Sequence, residues 1–328
     1  MILGFAHFAS AMKTPTVRLA SREELLGYVP YALGFHPTDS LVLLGLGRKH
    51  LELAARADAD WPTREHMRQF AKALRGVKGV SRIFLFGYGP ESVEGPVQTV
   101  AAGLQAFGYL VMEALRVTGD RFHCLRCDRC TPAEGAPFDV STSAAAATAT
   151  FAGMVARPDR AAVDKLVRPI GGLAAIAMSQ AVDRAEKRLD ELGGRLLEAG
   201  IAAVESALGR AKTGERLDDD EVAWLSLVLH DGEVRDHAWK HTDREDWQFA
   251  LWLDLSRRAE PLLAAPVASL LGWCAWRQGD GALAMAAILR ALRIDPGYRM
   301  GILIRDALDQ GRPPHTIKKW PVGFSAWT

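Results

Sequence analysis

The sequence predicts an α/β amino-terminal domain that is followed by an all-helical domain. Short apolar runs rich in leucine, valine and isoleucine recur between residues 41 and 86, which is typical of strands in a sheet. Residues 131–143 then combine Pro132, Gly135 and Pro137 with several hydroxyl side chains, which is the chemistry of turns. Beyond this segment the apolar residues recur every three or four positions, so we expect helices alone.

The predicted sheet is mixed and has about five strands. Its strands are the apolar runs at 41–44, 51–54, 83–86, 110–117 and 121–125. Helical spacing of apolar residues predicts two helices between these strands, at 62–74 and at about 91–107. This succession of strands and helices indicates an α/β domain.

Six segments of the rear half show the helical period, and glycine or proline separates several of them. They span residues 144–155, 159–168, 173–192, 196–212, 219–229 and 244–258. Six of the nine tryptophans lie between residues 224 and 276, and we expect most of them in the core, because large aromatic side chains dominate core packing. These are Trp224, Trp239, Trp247, Trp252, Trp273 and Trp276.

A hairpin of two helices is predicted at residues 265–298. Its small residues and its closing proline have the spacing of a tetratricopeptide unit: Leu271-Gly272, Gly279, Ala284, Ala291 and Pro296. No second copy follows at the period of about 34 residues that is typical of such repeats. We therefore expect a single hairpin, packed on the preceding helices and covered by residues 298–310.

The predicted domain organisation has three parts. Residues 1–16 form a disordered or extended tail, because terminal residues of this kind have little structure of their own. Residues 17–140 form the α/β domain, and residues 141–328 form the helical domain that contains the hairpin.

Composition excludes several classes of protein. The 328 residues include 40 Lys plus Arg and 39 Asp plus Glu, and the net charge of +1 gives no reason to expect nucleic acid as a partner. No apolar run reaches the roughly eighteen residues that cross a membrane. Four cysteines, three of them clustered, are too few for a disulfide framework in a chain of this size, so we expect a cytoplasmic protein.

The cysteine run has the clearest chemistry in the chain. Cys124, Cys127 and Cys130 are spaced as Cys-x-x-Cys-x-x-Cys, and thiolates at this spacing can bind one zinc or iron ion. A tetrahedral site needs a fourth ligand, but His123 points to the other face of a regular strand, and no second Cys-x-x-Cys pair is present. Two interpretations stay open: a metal site, with zinc as the expected ion, and three reduced cysteines that pack a loop against the sheet.

Polar residues at the start of the sheet form a second candidate site. His36, Asp39 and Ser40 precede the first strand and could supply a catalytic base with its orienting partner. The alternative is an Asx turn that leads into a buried strand. Arg56 and Asp58 are two residues apart on a strand and share a face, as a ligand clamp or as a polar outer surface.

Arg235 and Asp236 are the candidate ligand-binding residues of the helical domain. His237 and His241 follow at a spacing that would turn both imidazoles toward one cation in a helix. A solvated helix with an internal ion pair is the alternative. Residues 87–92 form a glycine-rich turn after a strand, but the proline and the acidic residues of this turn oppose phosphate binding.

Several separated motifs resemble the signatures of one known family. In chain order they are Val29-Pro30, Leu33 to Pro37, Asp39 to Val42, Ala55 to Asp58, Cys130 to Pro137, Arg235-Asp236, and Trp276 to Ala282 through Asp295-Pro296. Together they are similar to the actinobacterial family of domains of unknown function with the number 4192, over residues from about Val17 to Pro314. The resemblance implies no activity, cofactor or partner.

Three functions are compatible with the sequence. The first is a binding or adaptor protein whose helical domain contacts a protein partner. The second is a small-molecule enzyme with its site at the sheet edge, near His36, Asp39 and Ser40. The third is a thiol or metal sensor that uses the cysteine run. Because no catalytic pattern outweighs its structural alternative, we expect the first.

Overall fold

The computed structural model describes residues 2–4, 17, 19–48, 50–127 and 129–317. Contacts divide the chain into two compact units. The first unit comprises residues 1–163, 279–282 and 306–313, and the second comprises residues 164–278, 283–305 and 314–328. Most of the predicted tail at 1–16 lies outside the described residues. The predicted domain boundary after residue 140 stays a prediction.

In the part of the chain that the structure describes, seven strands form one sheet of the first unit. They are β1 (Ile2–Gly4), β2 (Ser40–Leu46), β3 (Leu51–Asp58), β4 (Arg82–Tyr88), β5 (Leu110–Thr118), β6 (Arg121–Cys124) and β7 (Ala136–Pro137). Their order is β1-β3-β2-β4-β5-β6-β7, and every neighbouring pair is antiparallel except β4 with β5. The predicted fold class is confirmed, and the five predicted runs correspond to β2 through β6.

Among the described residues, five helices accompany this sheet: α1 (Arg22–Leu33), α2 (Thr63–Gly76), α3 (Glu94–Ala106), α4 (Ala144–Phe151) and α5 (Arg160–Leu166). The sequence did not predict α1, because eight of its twelve residues are buried and no continuous polar face marks the helical period. It begins where the Ser21 hydroxyl accepts the amide of Glu24, and it ends at Gly34, whose φ of 82° favours glycine.

Helix α1 is anchored by the amino terminus of α4. The Glu24 carboxylate accepts hydrogen bonds from the amides of Ala144 and Ala145, at 3.1 and 2.6 Å. These amides belong to the first turn of α4, where a carboxylate also complements the helix dipole. The anchor also positions Arg22, two residues earlier, which reaches the cysteine run described below.

Up to residue 317, eight further helices follow: α6 (Leu173–Leu192), α7 (Leu196–Lys212), α8 (Asp219–Val228), α9 (Gly232–Lys240), α10 (Asp246–Arg258), α11 (Ala264–Gln278), α12 (Gly281–Ile294) and α13 (Arg299–Asp309). The rear of the chain is therefore largely helical, as predicted. Trp239, Trp252 and Trp276 are among the largest fully buried side chains, which confirms the expected aromatic core. Among the described residues, no helix combines the length and the apolar character that a membrane crossing requires.

The predicted hairpin corresponds to α11 and α12. Gly272 permits their close approach, because a Cβ atom at this position would lie 2.6 Å from Cδ1 of Ile288. Arg290 of α12 is 5% exposed and donates from Nη1 to the Val167 carbonyl at 3.0 Å and to both oxygens of Ser256. Burial lowers the pKa of Arg290 to about 10, so it is still a cation at neutral pH.

Candidate functional site

The cysteine run forms a compact sulfur cluster at the end of β6. Cys124 is the last residue of that strand, and a disulfide joins Cys127 to Cys130. The Sγ atoms of Cys124 and Cys127 are 3.9 Å apart, and all three Sγ atoms lie within 4.8 Å of one another. The sequence interpretation that left all three thiols reduced is wrong for Cys127 and Cys130.

Backbone and side-chain hydrogen bonds hold the loop that carries these sulfurs. The amide of Cys124 donates to Oγ1 of Thr131 at 3.2 Å, and the amide of Leu125 donates to the Ala114 carbonyl at 2.8 Å. Nε2 of His123 donates to the Ala133 carbonyl at 3.2 Å. The loop is thus attached to β5 at its start and to the His123 ring at its end.

Gly135 closes this loop and lets it pack on His123. Its φ of +83° is the left-handed conformation that favours glycine. A Cβ atom at this position would also lie 2.6 Å from Cε1 of His123. Both observations explain why the loop needs glycine here.

A cation stands beside the cluster. Nη2 of Arg22 lies 3.8 Å from Sγ of Cys124 and 3.1 Å from Oε2 of Glu113. The hydrogen bond to Glu113 is the main cause that raises the pKa of Arg22, so the guanidinium stays charged.

A cleft of about 270 Å³ opens next to the sulfurs. It is lined by Glu94, Gln98, His123, Cys124, Leu125, Cys127, Thr131, Pro132 and Ala133. Neighbouring residues of a strand normally point to opposite faces of the sheet. His123 and Cys124 nevertheless both line the cleft, because the strand ends at Cys124 and the chain folds back there. Glu94 is held by Arg116, whose Nε lies 2.8 Å from its carboxylate.

The sulfur atoms suit a soft metal ion. Tetrahedral zinc with Zn–S bonds of about 2.3 Å places two sulfurs about 3.8 Å apart. The Sγ atoms of Cys124 and Cys127 are 3.9 Å apart, which is close to this distance. Among the described residues, Cys124, Cys127 and Cys130 form a group of three metal-ligating side chains whose Sγ atoms lie close enough to share one ion. Once the Cys127–Cys130 disulfide is reduced, these three cysteines could hold a metal ion, with a fourth ligand from outside the trio.

The second candidate site brings three of its five predicted residues together. Ser40 pairs with Asp58 across β2 and β3, and Nε of Arg56 donates to the Ser40 hydroxyl at 2.7 Å. Arg56 also forms an ion pair with Asp58, although its own side chain is only 9% exposed. The result is a polar network around the buried Arg56 guanidinium, which fixes the loop before β2.

The other two predicted residues lie outside this network. Asp39 has a φ of 43°, which aspartate tolerates, and its carbonyl accepts the amide of Ala59. His36 is exposed, and desolvation lowers its pKa. The cleft beside the cysteines is lined by none of the five residues. A catalytic role for His36, Asp39 and Ser40 stays a prediction.

Sequence reasoning missed three residues that support these sites. His66 is fully buried in α2, and its Nε2 donates to the Asp58 carbonyl at 2.8 Å. Arg22 was missed because α1 was not predicted. Gln98 lies one turn after Glu94, and this spacing in a predicted helix is a signal that could have found it.

Ser40→Ala is expected to lower the free energy of unfolding by about 1 to 2 kcal/mol. The substitution removes the acceptor of a buried guanidinium N–H, which then has no replacement in the network. Urea denaturation of the variant and the parent measures the loss. Thr38→Ala is the control, because the exposed Thr38 takes part through its backbone carbonyl. Equal losses in both variants would contradict the network.

The candidates in the helical part form local contacts. Arg235 pairs with its neighbour Asp236 at 2.7 Å, and its guanidinium lies 5.9 Å from the centre of the Tyr298 ring. The rings of His237 and His241 are 4.3 Å apart, and Nδ1 of His241 donates to the His237 carbonyl at 2.8 Å. The ligand-binding roles of Arg235 and Asp236 stay predictions.

The fold and the sulfur cluster define a class: an α/β protein with a largely helical rear part and a cysteine-rich loop at the end of a strand. The chain belongs to the family described as Domain of unknown function (DUF4192), whose family model matches residues 23–315. No curated protein and no solved structure matches the chain.

Proposed function

We propose that this protein is a metal sensor that binds one zinc ion through the reduced thiolates of Cys124, Cys127 and Cys130. The observation that carries the proposal is the clustering of three Sγ atoms within 4.8 Å of one another. A cleft adjoins two of these sulfurs, and the cation of Arg22 adjoins one of them.

The chemistry of the donors favours zinc over harder ions. Thiolates are soft ligands that select zinc or copper(I), whereas magnesium and calcium prefer oxygen. Three protein ligands leave one position of a tetrahedral ion for a ligand from outside the trio, which is typical of sites that exchange ligands. Glu94 and Gln98 line the adjoining cleft, through which such a ligand would approach.

Elemental analysis of the full chain, purified under reducing conditions without chelator, tests the proposal. We expect about one zinc per chain in the parent and less than about a tenth of an equivalent in Cys124→Ser and Cys127→Ser, because each variant removes a third of the ligands. Cobalt substitution should give thiolate-to-metal absorption in the parent alone.

Cys274→Ser is the matched control. Cys274 is buried in α11, where its thiol contacts the Asp243 carbonyl, and it belongs to the second unit. This variant should bind as much zinc as the parent. A parent without metal after incubation with excess zinc and reductant would contradict the proposal.

A role of the helical part in binding a protein partner is a second proposal. Leu173 and Ile176, at the start of α6, are 84% and 58% exposed, and their spacing places them on one face. Co-purification from the native host tests this role with Leu173→Asp/Ile176→Asp beside the parent. A stoichiometric partner that the variant loses supports it, and identical eluates contradict it.

A further inference from the structure

We infer that the metal-bound state and the Cys127–Cys130 disulfide are two exclusive states of one sulfur centre, and that a small-molecule disulfide converts the first into the second through Cys130. This inference rests on the proposed zinc site and adds its regulation. The observation that supports the inference is the position of the three sulfurs, which is compatible with a zinc site and with a disulfide.

The structure combines features of both states in one loop. Cys124 and Cys127 have the sulfur separation of a zinc site, whereas Cys127 and Cys130 are covalently joined. The Cα atoms of Cys127 and Cys130 are 6.0 Å apart, inside the range of about 4.4 to 6.8 Å that disulfides span. The loop backbone therefore accommodates the disulfide, and no large rearrangement separates the two states.

The two states exclude each other by ligand count. The disulfide uses two of the three thiolates, and a sulfur in a disulfide carries no charge with which to bind zinc. Cys124 alone would remain as a thiolate ligand. The affinity of such a site for its metal ion comes from the thiolate ligands, so oxidation of two of them frees the metal ion.

Exposure identifies the sulfur at which the reaction begins. Cys130 is exposed, whereas Cys124 and Cys127 are half-buried. Cys124 is further enclosed by Arg22 and by the hydrogen bond between its amide and Thr131. A small-molecule disulfide therefore reaches Cys130 first, and Cys127 is the neighbour that completes the exchange.

The reaction consists of two thiol–disulfide exchanges. The Cys130 thiolate attacks one sulfur of the small-molecule disulfide, whose S–S bond breaks and releases one thiolate. The Cys127 thiolate then attacks Sγ of Cys130, forms the protein disulfide and releases the second small thiolate. The protein loses two electrons, the small disulfide gains two, and both released thiolates take protons from water.

Oxidised glutathione is the probe for the test. Zinc-loaded full-length protein is treated with it, zinc release is followed with a chromogenic chelator, and disulfides are mapped by mass spectrometry after alkylation. We expect one zinc ion to be released for each Cys127–Cys130 disulfide formed, and reductant with zinc should restore the bound ion. Cys274→Ser should behave as the parent does.

Variants of the metal-free, reduced protein test the order of steps without depending on zinc. Cys124→Ser/Cys127→Ser should accumulate one glutathione on Cys130, because both thiols near Cys130 that could resolve the mixed disulfide are absent. Cys124→Ser should form the Cys127–Cys130 disulfide as the parent does. Cys130→Ser should react at least tenfold more slowly than the parent.

The outcomes separate the inference from the proposed function. A reduced parent that binds no zinc overturns the sensor proposal, whatever the glutathione experiments show. A parent that binds zinc and retains it after the Cys127–Cys130 disulfide has formed overturns the inference alone. Glutathione found on Cys124 in the Cys127→Ser variant overturns the assignment of Cys130 as the point of attack.

Discussion

Arg290→Met is expected to lower the free energy of unfolding by about 3 kcal/mol. The Ser256 carbonyl lies in the last turn of α10 and the Val167 carbonyl lies just after α5, so neither has a helical donor of its own. The guanidinium supplies hydrogen bonds to both from a buried position. Methionine fills a similar volume but leaves two buried carbonyls unpaired, and each costs about 1 to 3 kcal/mol.

Chemical denaturation followed by tryptophan fluorescence measures this loss, because the clustered tryptophans lie in the same unit as Arg290. Arg293→Met is the matched control, since Arg293 is exposed one turn along the same helix. Its effect should stay within about 0.5 kcal/mol. Equal stabilities of the two variants would show that burial of the Arg290 charge costs as much as its hydrogen bonds contribute.

Gly272→Ala is expected to destabilise the helical unit by about 2 kcal/mol. The new methyl group would lie 2.6 Å from Cδ1 of Ile288 and 3.2 Å from the Ala284 carbonyl, so α11 and α12 must separate. Gly209→Ala provides the opposite case. Gly209 lies in α7 with open space around its Cα, so alanine should stabilise that helix by up to about 1 kcal/mol.

A second substitution distinguishes a packing clash from any other effect of Gly272→Ala. Ile288→Val removes Cδ1, the atom nearest to the new methyl group. In the Gly272→Ala background it should recover part of the lost stability, whereas in the parent it should cost about 1 kcal/mol. Additive losses in this double-mutant cycle would contradict the close approach of the two helices.

Most of the fold could be predicted because its signals are local. Strands such as β2 are buried along almost their whole length, which leaves continuous apolar runs in the sequence. The bounds of α6 and α7 agree with their predicted ones, since glycines mark the break between them. Helix α1 could not be predicted, because residues 25–30 are buried without a polar interruption and Pro30 lies inside the helix. The two-residue strand β7 has no sequence pattern at all.

Only those parts of the candidate site that follow from the spacing of residues in the sequence could be predicted. The cysteine spacing predicted the trio, and alternation on a strand predicted that Arg56 and Asp58 share a face. The disulfide between Cys127 and Cys130 could not be predicted, because spacing permits metal binding and disulfide formation alike. Contacts between a helix and the sheet, such as that of Arg22 with Cys124, depend on tertiary packing that no local pattern records.

Cys124 belongs at once to the sulfur cluster and to the β-ladder, where it pairs with Leu115. The next amide, that of Leu125, is bonded to Ala114 of the same neighbouring strand. A rearrangement of the sulfurs should therefore change the last hydrogen bonds between β5 and β6. Deuterium uptake at the Leu125 amide would register the chemical state of the thiols directly, with no dye or chelator added.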